Sequence, residues 1–225
     1  EIAEFSKLLE NIYRSVNIGF INEMKIIADK MGLDIFEIIK VARTKPFGFR
    51  PFHPGPGVGG HCIPIDPNYL YWKAKKEGVD AKFIKLSFKT NNNVIKFIIS
   101  KILKTILIKK LKKNKTKILI LGMAYKPNIE DSRESGSIKL LNQLLNNNIQ
   151  NVDWHDSYID SEIVINKFKY KKKSTKINSN KLKLYDIVVL MTDHNYFDYD
   201  MILKNSKLII DCRGRYLISN KVIRA

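Results

Sequence analysis

Apolar side chains recur every three or four residues through the first half of the chain, a period typical of amphipathic α-helices. The spacing predicts four helices, over residues 1–31, 34–41, 67–77 and 81–112. Asp66-Pro67 resembles an N-cap followed by a first-turn proline, so the third helix is expected to begin there. The segment before it, residues 44–66, is a long loop, and loops of this length without regular structure are often functional.

The first predicted helix carries two different faces. Its apolar series is formed by Ile2, Phe5, Leu9, Ile12, Val16, Phe20, Met24 and Ile27. Its polar stripe is formed by Lys7, Asn11, Ser15 and Asn22, which lie near one another because residues four apart are neighbours on a helix. A solvated surface is the simpler interpretation of the stripe, and the alternative is a polar site. The apolar series meets either the protein's own core or a partner.

The pattern changes near residue 116. Short apolar runs, typical of buried parallel strands, occupy residues 117–122, 151–154, 186–191 and 207–211. A helical pattern over 135–147 follows the first run, and strands that alternate with helices favour a doubly wound sheet. We therefore predict an α/β protein. An all-helical part, residues 1–112, precedes a doubly wound, Rossmann-like part, residues 113–225.

Charge is the most unusual feature of the composition. The 225 residues include 40 Lys and Arg against 22 Asp and Glu, a net charge of +18. Nucleic-acid binding must be considered at this charge, but no zinc finger, RNA-recognition motif or clear helix-turn-helix accompanies it. The lysines cluster at residues 109–117 and 167–176, and a solvated surface is the simpler interpretation. No apolar run reaches the length of a membrane span. We expect neither a nucleic-acid nor a membrane partner.

The long loop presents a cysteine after a run of glycines. Gly59-Gly60-His61 precedes Cys62, and Asp66 follows four residues later. Glycine lets the backbone adopt unusual angles and lets a ligand approach it closely. A thiol on such a loop beside a carboxylate suggests covalent catalysis, whereas a buried structural cysteine in a tight turn is the alternative. The other cysteine, Cys212, is far away in the sequence and follows a predicted strand, so we expect no disulfide. The absence of a disulfide fits a reducing cytoplasm.

A second polar loop follows the first predicted strand, over residues 122–135. Ligands of doubly wound sheets bind beyond the carboxyl ends of the strands. Lys126 and Arg133 can neutralise phosphate there, and Ser135 can cap the following helix. The loop lacks the Gly-x-Gly-x-x-Gly pattern of a dinucleotide site. An anionic-ligand loop and an exposed polar turn both remain open.

Four separated segments resemble one family, in the right order. Residues 55–67, Gly-Pro-Gly-Val-Gly-Gly-His-Cys-Ile-Pro-Ile-Asp-Pro, resemble the active-site segment of the UDP-glucose/GDP-mannose dehydrogenase family. The closest branch oxidises UDP-N-acetylhexosamines. Residues 125–135 resemble the family's UDP-binding signature, residues 211–214 its later Asp-x-Arg segment, and residues 3–11 the start of its central helix. The resemblance covers nearly the whole chain.

The resemblance implies an activity and its catalytic residues. Enzymes of this family convert a sugar CH2OH group to a carboxylate in two hydride transfers to NAD, in bacterial surface polysaccharide synthesis. Cys62 resembles the nucleophile that carries the thiohemiacetal and thioester. Lys7, Asn11 and Asp66 resemble the residues that hold the catalytic water and the developing oxyanion. No metal site is expected.

The resemblance also implies how substrate and partners bind. Lys126 and Arg213 resemble ligands on the UDP side, Arg50 loosely matches an arginine that reaches substrate across a dimer, and Gly59 and Gly60 belong to the substrate loop. A homodimer through the central helix is expected, and UDP-N-acetylglucosamine, its galacto epimer and UDP-N-acetylmannosamine all remain candidate substrates.

The family's N-terminal NAD-binding domain is not part of this sequence. The chain begins at Glu1, inside a predicted helix, so we expect that sequence upstream is missing. Two rival functions follow. One is a non-catalytic UDP-sugar-binding or dimerising remnant, and the other is a basic nucleic-acid-binding module.

Overall fold

The computed structural model describes all 225 residues and divides into two compact units, residues 1–96 and 97–225. A helical region is followed by a parallel α/β sheet, which confirms the predicted fold class. The first half of the chain forms helices α1 (Ile2–Lys30), α2 (Ile35–Ala42), α3 (Cys62–Lys76) and α4 (Lys82–Ile108). The division between the units falls inside α4, after Lys96.

Helix α3 begins at Cys62, five residues before the predicted start. The prediction that Asp66 is the N-cap and Pro67 the first helical residue is therefore wrong. His61 occupies the cap position without a side-chain hydrogen bond. Pro64 is tolerated because the first four N–H groups of a helix have no intrahelical acceptor, and Pro67 lies inside the second turn. The Asp-Pro pair imitates a helix start, but Asp66 lies one turn inside α3.

Three of the four residues in the polar stripe of α1 are buried, against the simpler interpretation of a solvated surface, and only Lys7 is exposed. Asn11, Ser15 and Asn22 are buried, with 2%, 2% and 0% of their surface exposed. Much of the apolar series faces solvent instead, with exposed fractions of 55% for Phe5, 59% for Leu9 and 61% for Phe20. Within this chain, α1 thus buries mainly polar and small residues and leaves large apolar residues uncovered.

Hydrogen bonds between α1 and α4 make the buried polar face possible. The Asn22 amide donates to Asn91 Oδ1 at 3.0 Å, and the Asn91 amide donates to the Ser15 carbonyl at 3.0 Å. The Ser15 and Ser87 hydroxyls lie 3.4 Å apart. At Gly19 an added Cβ would lie 3.3 Å from the Ser87 backbone, so the small residue lets the helices approach closely. Buried polar groups are tolerated because they are paired.

The second unit is built on five parallel strands in the order β2-β1-β5-β6-β7. Its elements are β1 (Ile118–Leu121), α5 (Gly136–Asn146), β2 (Val152–His155), β3 (Ile163–Ile165), β4 (Tyr170–Lys172), α6 (Ser179–Leu182), β5 (Ile187–Leu190), α7 (Tyr199–Asn205), β6 (Ile209–Asp211) and β7 (Val222–Arg224). The chain moves from β1 to β2 in one direction and then adds β5, β6 and β7 on the other side of β1. The sheet is therefore doubly wound, and its order reverses between β1 and β5.

The hydrophobic cores lie in different places in the two units. In the first unit a small core joins α1 and α2 through Ile21, Ala28, Ile35 and Ile39. In the second unit the central strands β1 and β5 are buried on both faces, and the side chains on one face of the sheet form a core with Leu119, Leu121, Val188, Leu190, Ile202, Ile209 and Val222. None of the helices combines the length and the apolar content that a membrane crossing requires.

Several short elements have no counterpart in the sequence-based prediction. An antiparallel hairpin of β3 and β4 lies in the lysine-rich segment, with a 3-10 helix, Asn166–Phe168, between its strands. Helices α6 and α7 and strand β7 contain only 4, 7 and 3 residues. Elements of this length are too short for a repeating hydrophobic pattern to identify them.

Candidate functional site

The glycine loop that leads to Cys62 is fastened to the buried asparagines of the first unit. The Gly55 N–H donates to Asn22 Oδ1 at 3.0 Å. Gly57 has φ +86, and a Cβ added there would lie 2.9 Å from the Asn91 carbonyl oxygen, so only glycine fits. Gly60 is buried and has φ +85, and α3 begins two residues later. The loop is therefore shaped by its contacts.

Cys62 is the first residue of α3 and is exposed, whereas Cys212 is buried. The Cα–Cβ bonds of a helix tilt toward its N-terminus, so the thiol lies at the positive end of the α3 dipole. That position favours negative charge that develops on an oxygen bound beside the sulfur. Asp66 follows Cys62 by four residues, so both side chains lie on the same side of α3.

Asn11 joins α1 to α3 at this point. Its amide Nδ2 donates to Asp66 Oδ2 at 2.7 Å, and Arg14 donates to Asn11 Oδ1 at 3.3 Å. Lys7 lies one turn before Asn11, but its ammonium contacts Glu10 at 3.2 Å and its side chain is 62% exposed. The Asn11–Asp66 hydrogen bond thus links two helices that each carry a pair of predicted site residues spaced by four. The pair on α1 is Lys7 and Asn11, and the pair on α3 is Cys62 and Asp66.

The remaining sequence-predicted residues of the first unit lie along the same loop. Arg50 is exposed and precedes the glycines, and Gly59 is half-buried beside the buried Gly60. The Arg50 side chain makes no hydrogen bond or ion pair within the chain.

The loop after β1 begins at the point where strand order reverses in the second unit, the usual ligand position of a doubly wound sheet. Near the start of this loop, the N–H groups of Met123 and Ala124 both donate to Asp156 Oδ2, at 2.7 and 2.8 Å. In a dinucleotide site such groups bind the pyrophosphate. Here the Asp156 carboxylate already occupies these two N–H groups, in the place that a pyrophosphate would take. This loop therefore does not fit the pyrophosphate of NAD.

Predicted phosphate ligands on this loop have different environments. Lys126 is exposed at the middle of the loop. Arg133, in contrast, is engaged by Asp131, with its NH2 2.7 Å from Asp131 Oδ2 and its Nε 3.0 Å from Oδ1. Ser135 caps α5, as predicted, by accepting the Ser137 N–H at 3.1 Å. Of the two cations, Lys126 is the one that is exposed to solvent and makes no ion pair.

Arg213 follows β6 and extends to the end of β5. Its Nε donates to the Met191 carbonyl at 2.7 Å, and Asp193 lies 3.6 Å away. Asp211 Oδ1 accepts the N–H groups of Arg213 and Gly214, at 2.9 and 3.0 Å, and so shapes this turn. Burial lowers the pKa of Arg213, and the Asp193 carboxylate opposes that shift. A poorly solvated guanidinium favours an anionic ligand.

Sequence reasoning missed a buried pair beside the β1 loop, Asp156 and His194. Both side chains are 0% exposed, and His194 Nε2 lies 3.0 Å from Asp156 Oδ2. Burial raises the pKa of Asp156, but hydrogen bonds from His194, Ala124 and Tyr158 outweigh it, so this pKa lies below its ordinary value. The available signal was topological, because both residues follow strands that end at the same edge of the sheet.

Comparison with protein-family models decides the family. The model for the central domain of the UDP-glucose/GDP-mannose dehydrogenase family matches residues 1–93, and the model for its UDP-binding domain matches residues 119–217. The chain belongs to this family. Both matched ranges contain sequence-predicted site residues of this dehydrogenase family, Cys62 in the first and Lys126 in the second.

Individual members of the dehydrogenase family are similar over most of the chain. A UDP-N-acetyl-D-mannosamine dehydrogenase of Methanococcus vannielii is 36% identical over 223 residues, covering 94% of this chain and 48% of the relative. A UDP-N-acetyl-D-glucosamine 6-dehydrogenase of Pseudomonas aeruginosa is 32% identical over 197 residues, covering 88% and 45%.

Solved structures of the family agree with this fold. The UDP-D-ManNAc dehydrogenase of Pyrococcus horikoshii superposes with a TM-score of 0.83 at 28% identity, covering 99% of this chain and 51% of that one. The chain therefore spans about half the length of the relatives it matches.

Proposed function

We propose that this chain is the central and C-terminal portion of an NAD-dependent UDP-N-acetylhexosamine 6-dehydrogenase that acts in the cytoplasm in surface polysaccharide synthesis. The observation that carries the proposal is the Asn11–Asp66 hydrogen bond of 2.7 Å, because it connects the two helices that bear the family's catalytic motifs. Relatives named for N-acetylated UDP-hexosamines, at 36% and 32% identity, support this substrate class.

In the proposed mechanism, Cys62 is the nucleophile. Its sulfur adds to the C6 aldehyde formed by the first oxidation, and the positive end of α3 stabilises the resulting oxyanion. Oxidation of this thiohemiacetal to a thioester requires a hydride acceptor, which the family resemblance implies to be NAD. We assign no residue of this chain to NAD, since the β1 loop already carries a carboxylate where a pyrophosphate would bind.

Asp66 and Asn11 act in the hydrolysis of the thioester. The Asn11 amide holds Asp66 Oδ2, so the carboxylate is fixed and can accept a proton from the attacking water. Release of the carboxylic acid breaks the C–S bond and returns the thiol of Cys62. Lys7 supplies a cation on the adjacent turn of α1, which requires that its ammonium leave Glu10 when substrate binds.

The UDP portion is assigned to Lys126 and Arg213, which lie on loops that follow β1 and β6. Lys126 is exposed, and Arg213 is tied to the end of β5, beside the position where strand order reverses. Two cations at the carboxyl edge of the sheet suit a diphosphate. Arg50, Gly59 and Gly60 are assigned to the sugar side of the substrate.

A homodimer through α1 belongs to the same proposal. Phe5, Leu9 and Phe20 are more than half exposed, and a large uncovered apolar surface favours association. A Phe20→Glu variant should lower the mass measured by light scattering from that of a dimer to that of a monomer. An unchanged mass would show that this face is not the interface.

Substitution at the two cysteines tests the mechanism. In the complete enzyme that carries this chain, Cys62→Ser should abolish uronate formation while UDP still binds. Cys212→Ala is the control for loss of a thiol as such, because Cys212 is buried and its side chain, although next to Arg213, has no assigned role in the chemistry, and this variant should still form the uronate. Uronate formation by Cys62→Ser would refute covalent catalysis at this residue.

A further inference from the structure

Two strand ends hold the first part of the β1 loop, residues 122–128. Asp156, just after β2, accepts the N–H groups of Met123 and Ala124 at 2.7 and 2.8 Å. Thr192, just after β5, donates its hydroxyl to the Ala124 carbonyl at 2.7 Å. The backbone N–H groups at the start of the loop are therefore paired, and this segment cannot shift without breaking buried hydrogen bonds.

His194 holds the far end of this segment, residues 122–128. The Asn128 N–H donates to His194 Nδ1 at 3.0 Å, and the Asn195 N–H donates to Asn128 Oδ1 at 2.9 Å. Because a backbone N–H can only donate, Nδ1 must be the unprotonated nitrogen of a neutral ring. The ring proton then lies on Nε2 and is donated to Asp156 Oδ2 at 3.0 Å.

One buried imidazole thus connects both ends of the loop through Asp156. The ring packs against Tyr158 and Tyr196, with centroids 5.1 and 5.2 Å away, and turning it would break the hydrogen bonds at both of its nitrogens. The Tyr196 hydroxyl is itself fixed, because it accepts the Ser157 N–H at 2.7 Å. Between the two anchored ends lie only Tyr125, Lys126 and Pro127.

We propose that His194, held by Asp156, is a positioning residue that fixes the loop carrying Lys126 and thereby strengthens binding of a nucleoside diphosphate, UDP. The inference rests on the proposed function, because it needs Lys126 to contact the diphosphate. Its physical basis is preorganisation: a loop already held in its binding conformation loses less conformational entropy when the ligand arrives.

Calorimetric titration of the 225-residue chain with UDP is the first arm of the test. His194→Ala removes both hydrogen bonds and should weaken UDP binding at least tenfold. His194→Gln retains an acceptor and a donor and should recover affinity to within about threefold of the wild type. His53→Ala, at an exposed histidine of the first unit, is the matched control and should bind as the wild type does.

A double-mutant cycle separates positioning from general damage to the fold. If His194 acts through Lys126, then His194→Ala should have little further effect in a Lys126→Ala background. Equal losses in both backgrounds would overturn the proposal. Should His194→Ala not fold, His194→Phe keeps the aromatic stacking, lacks both hydrogen bonds, and serves in its place.

Hydrogen exchange of residues 123–131, measured without ligand, is the second arm. His194→Ala should speed exchange of this loop relative to the wild type, and His194→Gln should restore its protection. Unchanged exchange would overturn the proposal whatever the titrations give. Absence of UDP binding by the wild-type chain, in contrast, would refute the proposed function while the exchange data still decide whether His194 anchors the loop.

Discussion

Replacing Asn22 by alanine should destabilise the first unit strongly, because this side chain satisfies two buried groups at once. It accepts the Gly55 N–H and donates to Asn91 Oδ1, both at 3.0 Å, and is 0% exposed. A buried polar group left without its partner costs about 1–3 kcal/mol. Two such groups give a loss of roughly 2–6 kcal/mol, offset by about 0.5 kcal/mol of improved helix propensity.

Urea unfolding followed by tryptophan fluorescence measures this loss. Trp72 lies in α3 and reports on the first unit, whereas Trp154 lies in β2, and a Trp72→Phe version identifies the contribution of Trp72. Asn92→Ala is the matched control, since Asn92 is an exposed helical asparagine and should change stability by less than about 0.5 kcal/mol. If Asn22→Ala were as mild as Asn92→Ala, the inferred hydrogen-bonded connection between α1, α4 and the glycine loop would be refuted.

Three further predictions concern the second unit. Gly122→Ala should lower the free energy of unfolding by at least about 2 kcal/mol, because Gly122 has φ +85 and the new Cβ would lie 2.4 Å from Thr192 Cβ; calorimetry measures it, and a wild-type melting temperature would contradict it. Asp211→Ala should cost about 3–5 kcal/mol in urea unfolding, since it leaves the Arg224 guanidinium without its buried carboxylate, and a loss below about 1 kcal/mol would count against that pairing. Burial lowers the pKa of His155 below 6.5, so the unfolded chain binds more protons below that pH and stability should fall on acidification, by at most about 1.4 kcal/mol per pH unit for this group. His155→Gln should flatten the pH dependence, and an unchanged slope would exclude His155 as its source.

Sequence periodicity predicted the long elements well because each repeats its pattern several times. Helix α1, with 29 residues, and α4, with 27, both lie close to their predicted bounds. The start of α3 was mispredicted because Asp66-Pro67 has the chemistry of a helix start. Nothing local reveals that the first turn already forms at Cys62 with Pro64 inside it.

Burial of the polar stripe depended on partners far away in the sequence. Asn22 looks solvent-facing on its own helix, and its hydrogen-bond partner Asn91 lies 69 residues later. The same applies to Asp156 and His194, which are 38 residues apart and meet only because parallel strands end at one edge. Periodicity identifies elements, but it carries no information on which polar groups pair after folding.

The contrast between the two cysteines gives the folded chain a built-in reporter. Cys62 is exposed at the start of α3, and Cys212 is fully buried directly after β6. A thiol-alkylating reagent should therefore add one label to the native chain and two after unfolding. After a brief pulse of such a reagent, mass spectrometry would give the fraction of unfolded molecules as the fraction that carries two labels. Protection of Cys62 alone from labelling would report that a ligand is bound at the glycine loop.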